Sequence, residues 1–179
     1  MSEAFQTLYE SPEGQRLRLE GAQLATPDGR VYRHHRLVLS DGWPGAVVLA
    51  FDGADLLLVR SHRPAAGEVM WELLRGAGEP GESPVQTALR ELAEETGLRG
   101  EGAVVLGSYL IDSSVFPQPV SVVECTVDRS APRGRVDGEI LGERWATPDE
   151  LRQLVVDGVL RDAHSLTALS FHGMKEPRG

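Results

Sequence analysis

The chain has 179 residues and a formal net charge of −9, with 41% apolar and 25% charged residues. This length suits one domain with a short extension, and the composition argues against disorder. Because nucleic acid is bound by basic surfaces, the negative charge argues against a nucleic-acid partner. No run approaches 18 apolar residues and the N-terminus lacks the basic and apolar regions of a signal peptide, so we expect a cytoplasmic protein with no membrane partner.

Two pairs of strands are predicted in the first third of the chain. Alternation over residues 16–25, the turn T-P-D-G and the run R-V-Y-R-H-H-R-L-V-L predict a β-hairpin. A second pair, Ala46–Phe51 and Asp55–Arg60, is joined by the turn D-G-A. Because two strands alone are marginally stable, we expect residues 1–40 to form a β extension that packs on another surface. Residues 41–179 then form the main domain.

Helices and strands alternate in the rest of the chain. Helices are predicted at Pro84–Thr96, from Thr147 to near Gly158, and from Ala163 to His172. Further strands are predicted at Ala103–Ile111, Val120–Val127 and Glu139–Trp145. The first helix has the clearest boundaries, because Ser83 and Gln86 form a capping box and Gly97 follows the last turn. This mixture predicts an α+β fold, a mixed α/β sandwich.

The helix Pro84–Thr96 combines an apolar face with a group of carboxylates. Glu91 and Glu95 lie one turn apart, so their Cβ atoms are about 5–6 Å apart and their charges repel by about 3 kcal/mol at an effective dielectric of about 20. No lysine lies four residues beyond Glu91, Glu94 or Glu95. A solvated charged face is one interpretation of this pattern. A divalent-cation site, which needs about six oxygen ligands, is the other.

The residues around this helix favour the metal site. The segment Gly76–Leu98 matches the pattern G-x5-E-x7-R-E-U-x-E-E-x-G-U, with U aliphatic, at every fixed position. Average residue frequencies put a chance match on the order of 10⁻⁷. By this motif the chain resembles the Nudix hydrolase family. The resemblance implies a mixed sheet between helices, and a loop–helix–loop that binds Mg²⁺ or Mn²⁺ and hydrolyses a nucleoside diphosphate linked to another moiety.

Roles for individual residues follow from this resemblance by position. It implies that Glu91 and Glu95 are direct metal ligands, joined by the backbone carbonyl of Arg75. It implies that Glu94 acts beside the metal or through a bound water. The remaining motif residues, Glu82 and Arg90, are expected to form an ion pair that braces the loop.

Flanking segments resemble the branch of the family that hydrolyses ADP-ribose and other nucleotide sugars. These segments are P-G-A-V-V-L-A, L-L-V-R-S-H-R-P and W-E-L-L-R-G. The likeness implies that Arg60 and Arg63 contact phosphate or ribose, and that Trp71 and Glu72 line the nucleoside pocket. For Arg60 a solvated position at the strand end stays open, and for Trp71 so does packing in the core. The implied products are a nucleoside monophosphate and a sugar phosphate.

A third carboxylate and a dimer are also implied by that branch. Glu139 matches the position of an additional loop glutamate that approaches the metals, and Glu143 is the alternative. A solvated loop carboxylate stays open for Glu139. The predicted hairpin fits a branch that often exchanges an N-terminal β-domain across a homodimer. The segment D-S-S-V-F-P-Q-P departs from the branch, which leaves the sugar and the base of the substrate open.

Two other functions share parts of this pattern. A hydrolase of nucleoside triphosphates or dinucleoside polyphosphates has the same metal site but lacks the N-terminal extension. A non-catalytic nucleotide sensor typically loses motif glutamates, which this chain keeps. The single cysteine, Cys125, lies in an apolar run and is expected to be a buried hydrophobe. The five histidines have no ligand spacing, and we expect them at the surface or in packing roles.

Overall fold

The computed structural model describes residues 5–14 and 16–175, which form two sheets and three α-helices. The strands are β1 Gln6–Glu10, β2 Leu17–Ala25, β3 Val31–Leu39, β4 Gly45–Asp52, β5 Asp55–Arg63, β6 Glu68–Glu72, β7 Arg75–Ala77, β8 Glu101–Asp112, β9 Phe116–Thr126 and β10 Ile140–Ala146. The helices are α1 Pro84–Thr96, α2 Pro148–Val156 and α3 Ala163–Gly173. Within the described ranges, no helix combines the length and apolarity needed to cross a membrane.

The larger sheet has seven strands and carries helices on both faces. Its order is β10-β5-β4-β9-β8, with β6 paired to β5 and β7 to β4, and the central pair β4–β9 is parallel. Side chains alternate along a strand, so Ala46 and Val48 of β4 pack towards α1 while Val47 and Leu49 pack towards α2 and α3. The predicted α+β class, a mixed sheet between helices, is confirmed.

The N-terminal extension is a separate antiparallel sheet, in the order β1-β2-β3. The predicted hairpin is present as β2 and β3, and β1 adds a strand that the sequence patterns did not predict. The extension joins the larger sheet at one end, where Leu37 N donates to Val115 O at 2.8 Å and Leu39 N donates to the side chain of Gln118. Strand β1, at one edge of this sheet, is exposed along its whole length.

Helix α1 has the boundaries that its sequence signals predict. Gln86 N donates to Ser83 Oγ and Ser83 N donates to Gln86 Oε1, which completes the capping box. Gly97 ends the helix in the left-handed region, with φ of 71°. Strands β6 and β7 were not predicted. For β7 the reason is that the strand is only three residues long and contains a glycine. Strand β7 nevertheless positions the segment that precedes α1.

Candidate active site

A cavity of about 500 Å³ lies beside the N-terminal half of the larger sheet's central strand, β4. Residues from β3, β4, β5, β7, β8, β9, α1, α3 and the loop 127–139 line it. One side carries five carboxylates, hereafter the acidic cluster: Glu91, Glu94, Glu95, Asp137 and Glu139. The residues of the wall also include Arg63 and Arg75. The cavity thus brings acidic and basic groups together in one space of ligand size.

Arg90 organises the acidic residues of the motif. Its Nε and Nη2 donate to the two carboxylate oxygens of Glu82 at 2.8 and 3.0 Å, which is the fork geometry expected of this pair. Its Nη1 donates to Glu91 and Glu94 at 2.9 and 3.0 Å. Nη2 also donates to the carbonyl of Ala77 at 2.8 Å. Arg90 therefore joins the loop before α1 to the carboxylates on the helix.

Gly76 allows α1 to pack directly on β7. A Cβ at this position would lie 1.9 Å from Cδ of Glu91, so no side chain fits there while Glu91 keeps its position. Glu91 consequently lies against the backbone immediately after Arg75. The expected arrangement, with the Glu91 carboxylate beside the backbone that carries the Arg75 carbonyl, requires this close approach.

The carboxylates of α1 are held in an unfavourable electrostatic environment. Burial raises the pKa of the Glu95 carboxyl to about 8, and the neighbouring charges of Glu91, Glu139 and Asp137 act in the same direction. Burial also raises the pKa of Glu91, although the Arg90 guanidinium opposes this effect. A bound cation would relieve both the mutual repulsion and the desolvation of these groups.

The oxygen donors of the acidic cluster suit a hard divalent cation. Mg²⁺ is usually held by one or two carboxylates, several waters and substrate phosphates. Across residues 5–14 and 16–175, no three acidic, histidine or cysteine side chains converge closely enough to form a metal shell by themselves. The residues fit a cation that takes Glu91 and Glu95 as ligands and completes its shell with the Arg75 carbonyl, water and phosphate. This ligand set remains a prediction.

The loop 127–139 brings two acidic residues to the cavity. Both Asp137 and Glu139 lie on its wall, and Glu139 N donates to Asp137 Oδ1 at 2.9 Å. Glu143, the alternative to Glu139, is not among the wall residues. Its carboxylate instead accepts from Arg133 Nη1 at 2.5 and 2.7 Å. The geometry therefore favours Glu139 over Glu143 as the third carboxylate.

A buried carboxylate holds the two arginines of the wall. Glu72 is fully buried, and its Oε1 accepts from Arg63 Nε at 2.8 Å. Its Oε2 lies 3.6 Å from Arg75 Nη2 and has no hydrogen-bond partner among the described residues. Glu72 does not face the cavity, so the structure supports an indirect role, in which it orients Arg63 and Arg75.

Two further substrate contacts expected from the resemblance are not brought to the cavity. The Arg60 guanidinium lies over the ring of Trp71, 5.9 Å from its centroid, and neither residue lines the wall. The two side chains are neighbours in the β5–β6 pairing, and Trp71 packs against the core on the α2–α3 side of the sheet. The alternative of core packing, left open for Trp71, agrees with this position.

The cavity wall contains residues that the sequence patterns did not identify. His164 lies on the wall, and its Nδ1 is 2.5 Å from the Tyr109 hydroxyl. Burial, with the charge of Arg75 next in effect, lowers the pKa of His164 to about 4. Trp43 adds aromatic surface. Asp137 could have been inferred from the sequence, because it lies only two residues before Glu139 in the run D-G-E. No sequence pattern marks His164 or Trp43 as residues of the site.

One protein-family model covers most of the chain. The model of the NUDIX domain matches residues 43–169. The ADP-sugar pyrophosphatase of Mus musculus is 38% identical over 73 residues, which are 41% of this chain and 34% of that protein. The NAD-capped RNA hydrolase NudC of Mycobacterium tuberculosis is 34% identical over 116 residues, 64% of this chain and 36% of that protein. The chain thus spans about a third of the length of these curated relatives.

A solved structure shares the fold. The crystal structure of an ADP compounds hydrolase matches with a TM-score of 0.79, over 95% of this chain and 90% of that one. The two sequences are 18% identical, so this likeness concerns the fold.

Proposed function

Because the chain belongs to the NUDIX domain family, we propose that it is a Mg²⁺-dependent pyrophosphohydrolase of a nucleoside diphosphate linked to another moiety. The best candidate substrate is ADP-ribose or a related nucleotide sugar, cleaved to a nucleoside monophosphate and a sugar phosphate. The observation that carries this proposal is the cavity in which the acidic cluster meets Arg63 and Arg75. A diphosphate needs both features, because its charge must be neutralised on more than one side.

The proposed roles follow from the contacts at the cavity. Glu91, Glu95 and the Arg75 carbonyl would hold the cation, with Glu94 beside it. When bound, the cation supplies charge neutralisation and lowers the pKa of a coordinated water. Glu139 would accept a proton from the attacking water. The water oxygen would bond to one phosphorus atom of the diphosphate, and the bridging oxygen would leave with the other phosphorus atom. Arg63 would donate hydrogen bonds to phosphate oxygens.

The choice of a nucleotide sugar rests on four supports. The mouse relative is an ADP-sugar pyrophosphatase by name. The cavity volume, about 500 Å³, falls in the range of small-molecule sites. Arg63, held by the buried Glu72, offers a preorganised anion contact beyond the acidic cluster. Trp43 supplies an aromatic surface on which a base can stack.

A substrate panel tests the proposal. Purified protein is incubated with Mg²⁺ and ADP-ribose, other nucleotide sugars, dinucleoside polyphosphates or nucleoside triphosphates, and phosphate-containing products are separated by chromatography. We expect nucleotide sugars to be cleaved fastest, and chelation to abolish cleavage. Faster cleavage of free triphosphates would contradict the branch assignment while leaving the metal site intact. Binding of these compounds without cleavage would favour a nucleotide sensor.

The N-terminal extension, residues 1–40, is proposed to form a homodimer with its copy across a two-fold axis. The extension touches its own main domain mainly at one end, and it exposes apolar side chains that a monomer leaves in water. These are Leu8, Tyr9, Val31 and Tyr32, which are 44–63% exposed. Burying such exposed apolar side chains in a self-complementary contact is the common solution in homo-oligomers.

Light scattering tests the dimer. At micromolar concentration we expect twice the mass of the 19.4 kDa chain. Tyr9→Glu combined with Val31→Glu should shift the mass to that of one chain. Val156→Glu, which changes an equally apolar residue that is 75% exposed on α2, is the matched control and should leave the dimer intact. A wild-type mass of one chain would refute the dimer.

A further inference from the structure

The loop 127–139 is tied to the end of the helix that carries the motif glutamates. The last carbonyls of an α-helix have no partner within the helix and need one from elsewhere. At the end of α1, Glu94 O accepts from Asp137 N at 2.9 Å, and the carbonyl of Gly97, the residue after the helix, accepts from Gly134 N at 2.8 Å. Two loop amides therefore complete the helix end, and one of them belongs to the acidic cluster.

Arg133 strengthens this junction from the side. Its Nη1 donates to Thr96 O at 3.2 Å and to both carboxylate oxygens of Glu143 at 2.5 and 2.7 Å. One guanidinium thus joins the end of α1, the loop and strand β10. A cation at a helix C-terminus is also favourable to the helix dipole. The contact depends on close packing, because a Cβ at Gly97 would lie 2.7 Å from Gly134 O.

We propose that Arg133 is a positioning residue, which holds the Asp137–Glu139 segment at the cavity by anchoring its loop to α1 and to Glu143. This inference rests on the proposed hydrolase function, and it assigns Glu143 the role of anchor instead of third carboxylate. Through Glu94 O, the Asp137 backbone is bound to the same helical turn that carries Glu91 and Glu95. The carboxylates of the loop are thereby kept in a fixed position relative to those of the helix.

The partial exposure of Arg133 indicates that it positions the loop and contributes little to the stability of the whole fold. The side chains of Arg133 and Glu143 are 35% and 22% exposed, and partly exposed ion pairs contribute little to global stability. Loss of Arg133 should consequently loosen the loop while leaving the fold intact. Small displacements of a reacting group cost much more in rate than in stability.

Arg133→Gln, with Arg135→Gln as the matched control, tests the proposal. Arg135 lies in the same loop, is exposed, and has no ion-pair partner in the part of the chain that the structure describes. We expect Arg133→Gln to speed amide hydrogen exchange at Gly134 and Asp137, and to lower kcat about 10- to 100-fold with little change in KM. Arg133→Lys should give an intermediate kcat. Arg135→Gln should match the wild type in both measurements.

Each outcome decides a separate point. Unchanged exchange in Arg133→Gln would overturn the anchor. Faster exchange with unchanged kcat would overturn the positioning role. If the wild-type protein hydrolyses nothing in the substrate panel, the proposed function fails, and the exchange measurement alone still decides whether Arg133 holds the loop.

Discussion

Helix α1 and the loop 127–139 both supply carboxylates to the same cavity, but they reach it by different physical means. The helix is determined locally, by a capping box at Ser83, an apolar face and a terminating glycine. The loop has no such local signals. The loop that carries Asp137 and Glu139 is joined to the end of α1 by backbone hydrogen bonds and to β10 by an ion pair.

The difference explains why one half of the site is more readily inferred than the other. A helix places residues four apart on one face, so sequence spacing predicts geometry. A loop of this kind places residues according to its anchors, which lie far away in sequence. Arg133 contacts Thr96, 37 residues earlier in the chain. If the two regions differ in this way, the helical carboxylates should bind the metal, and the loop carboxylate should act mainly in the transition state.

The largest effect is expected for Glu95→Gln, on the helical side of the comparison. If Glu95 is a metal ligand, its loss should lower kcat by about 100-fold or more, roughly 3 kcal/mol of barrier. The measurement is steady-state hydrolysis at saturating Mg²⁺. Near-normal activity of this variant would remove Glu95 from the ligand set.

The same variant should be more stable than the wild type when metal is absent. In the folded protein the pKa of the Glu95 carboxyl is raised to about 8, whereas an unperturbed glutamate carboxyl has a pKa of 4.5. Between these values the folded state binds more protons than the unfolded chain, so this group lowers stability as pH rises through the window. With EDTA at pH 8, Glu95→Gln should therefore gain roughly 1–3 kcal/mol in unfolding free energy. At pH 4 the difference should vanish.

A smaller kinetic effect is expected on the loop side. Glu139→Gln should lower kcat about tenfold or more with little change in KM, the pattern of an interaction made mainly in the transition state. Glu143→Gln should change kcat far less, because its amide oxygen can still accept from Arg133. The reverse ranking would transfer the role to Glu143, and two silent variants would mean that the helical glutamates suffice.

The smallest effect is expected for the ion pair between Glu82 and Arg90, which connects the loop before α1 to the helix, and it concerns stability. The hydrogen bonds of Arg90 lower the pKa of Glu82 to about 2. A lowered carboxyl pKa contributes stability that is complete above about pH 4.5 and is lost as pH falls towards 2. Glu82→Gln should cost about 1–2 kcal/mol at pH 7, the range for hydrogen bonds to charged groups. Urea titrations at pH 7 and pH 3 should show the difference shrinking in acid.

The fold class and the family were predictable because both depend on local patterns. Caps marked α1, α2 and α3 within a residue or two of their observed bounds. The Nudix motif predicted the family that the NUDIX domain model confirms over residues 43–169. The short strand β7 escaped prediction, since three residues are too few for a pattern. The first strand, β1, escaped as well, and it turns the predicted hairpin into a three-stranded sheet.

Several positions in the site were decided by tertiary structure alone. The resemblance pointed to Arg60 and Trp71; strand pairing places them beside each other, and neither is among the residues that line the cavity. His164 reaches the wall because α3 packs on the sheet beside Tyr109. Such placements depend on contacts between distant segments, so no spacing in the chain encodes them.

The sequence by itself determined the family, the boundaries of α1 and the identity of the helical carboxylates, because a helix converts spacing into a shared face. Tertiary structure decided which groups complete the cavity around them. It buried Glu72 beside Arg63 and Arg75, and it joined the loop that carries Glu139 to the end of α1 through Arg133. These outcomes follow from hydrogen bonds and packing between segments that only the folded chain brings together.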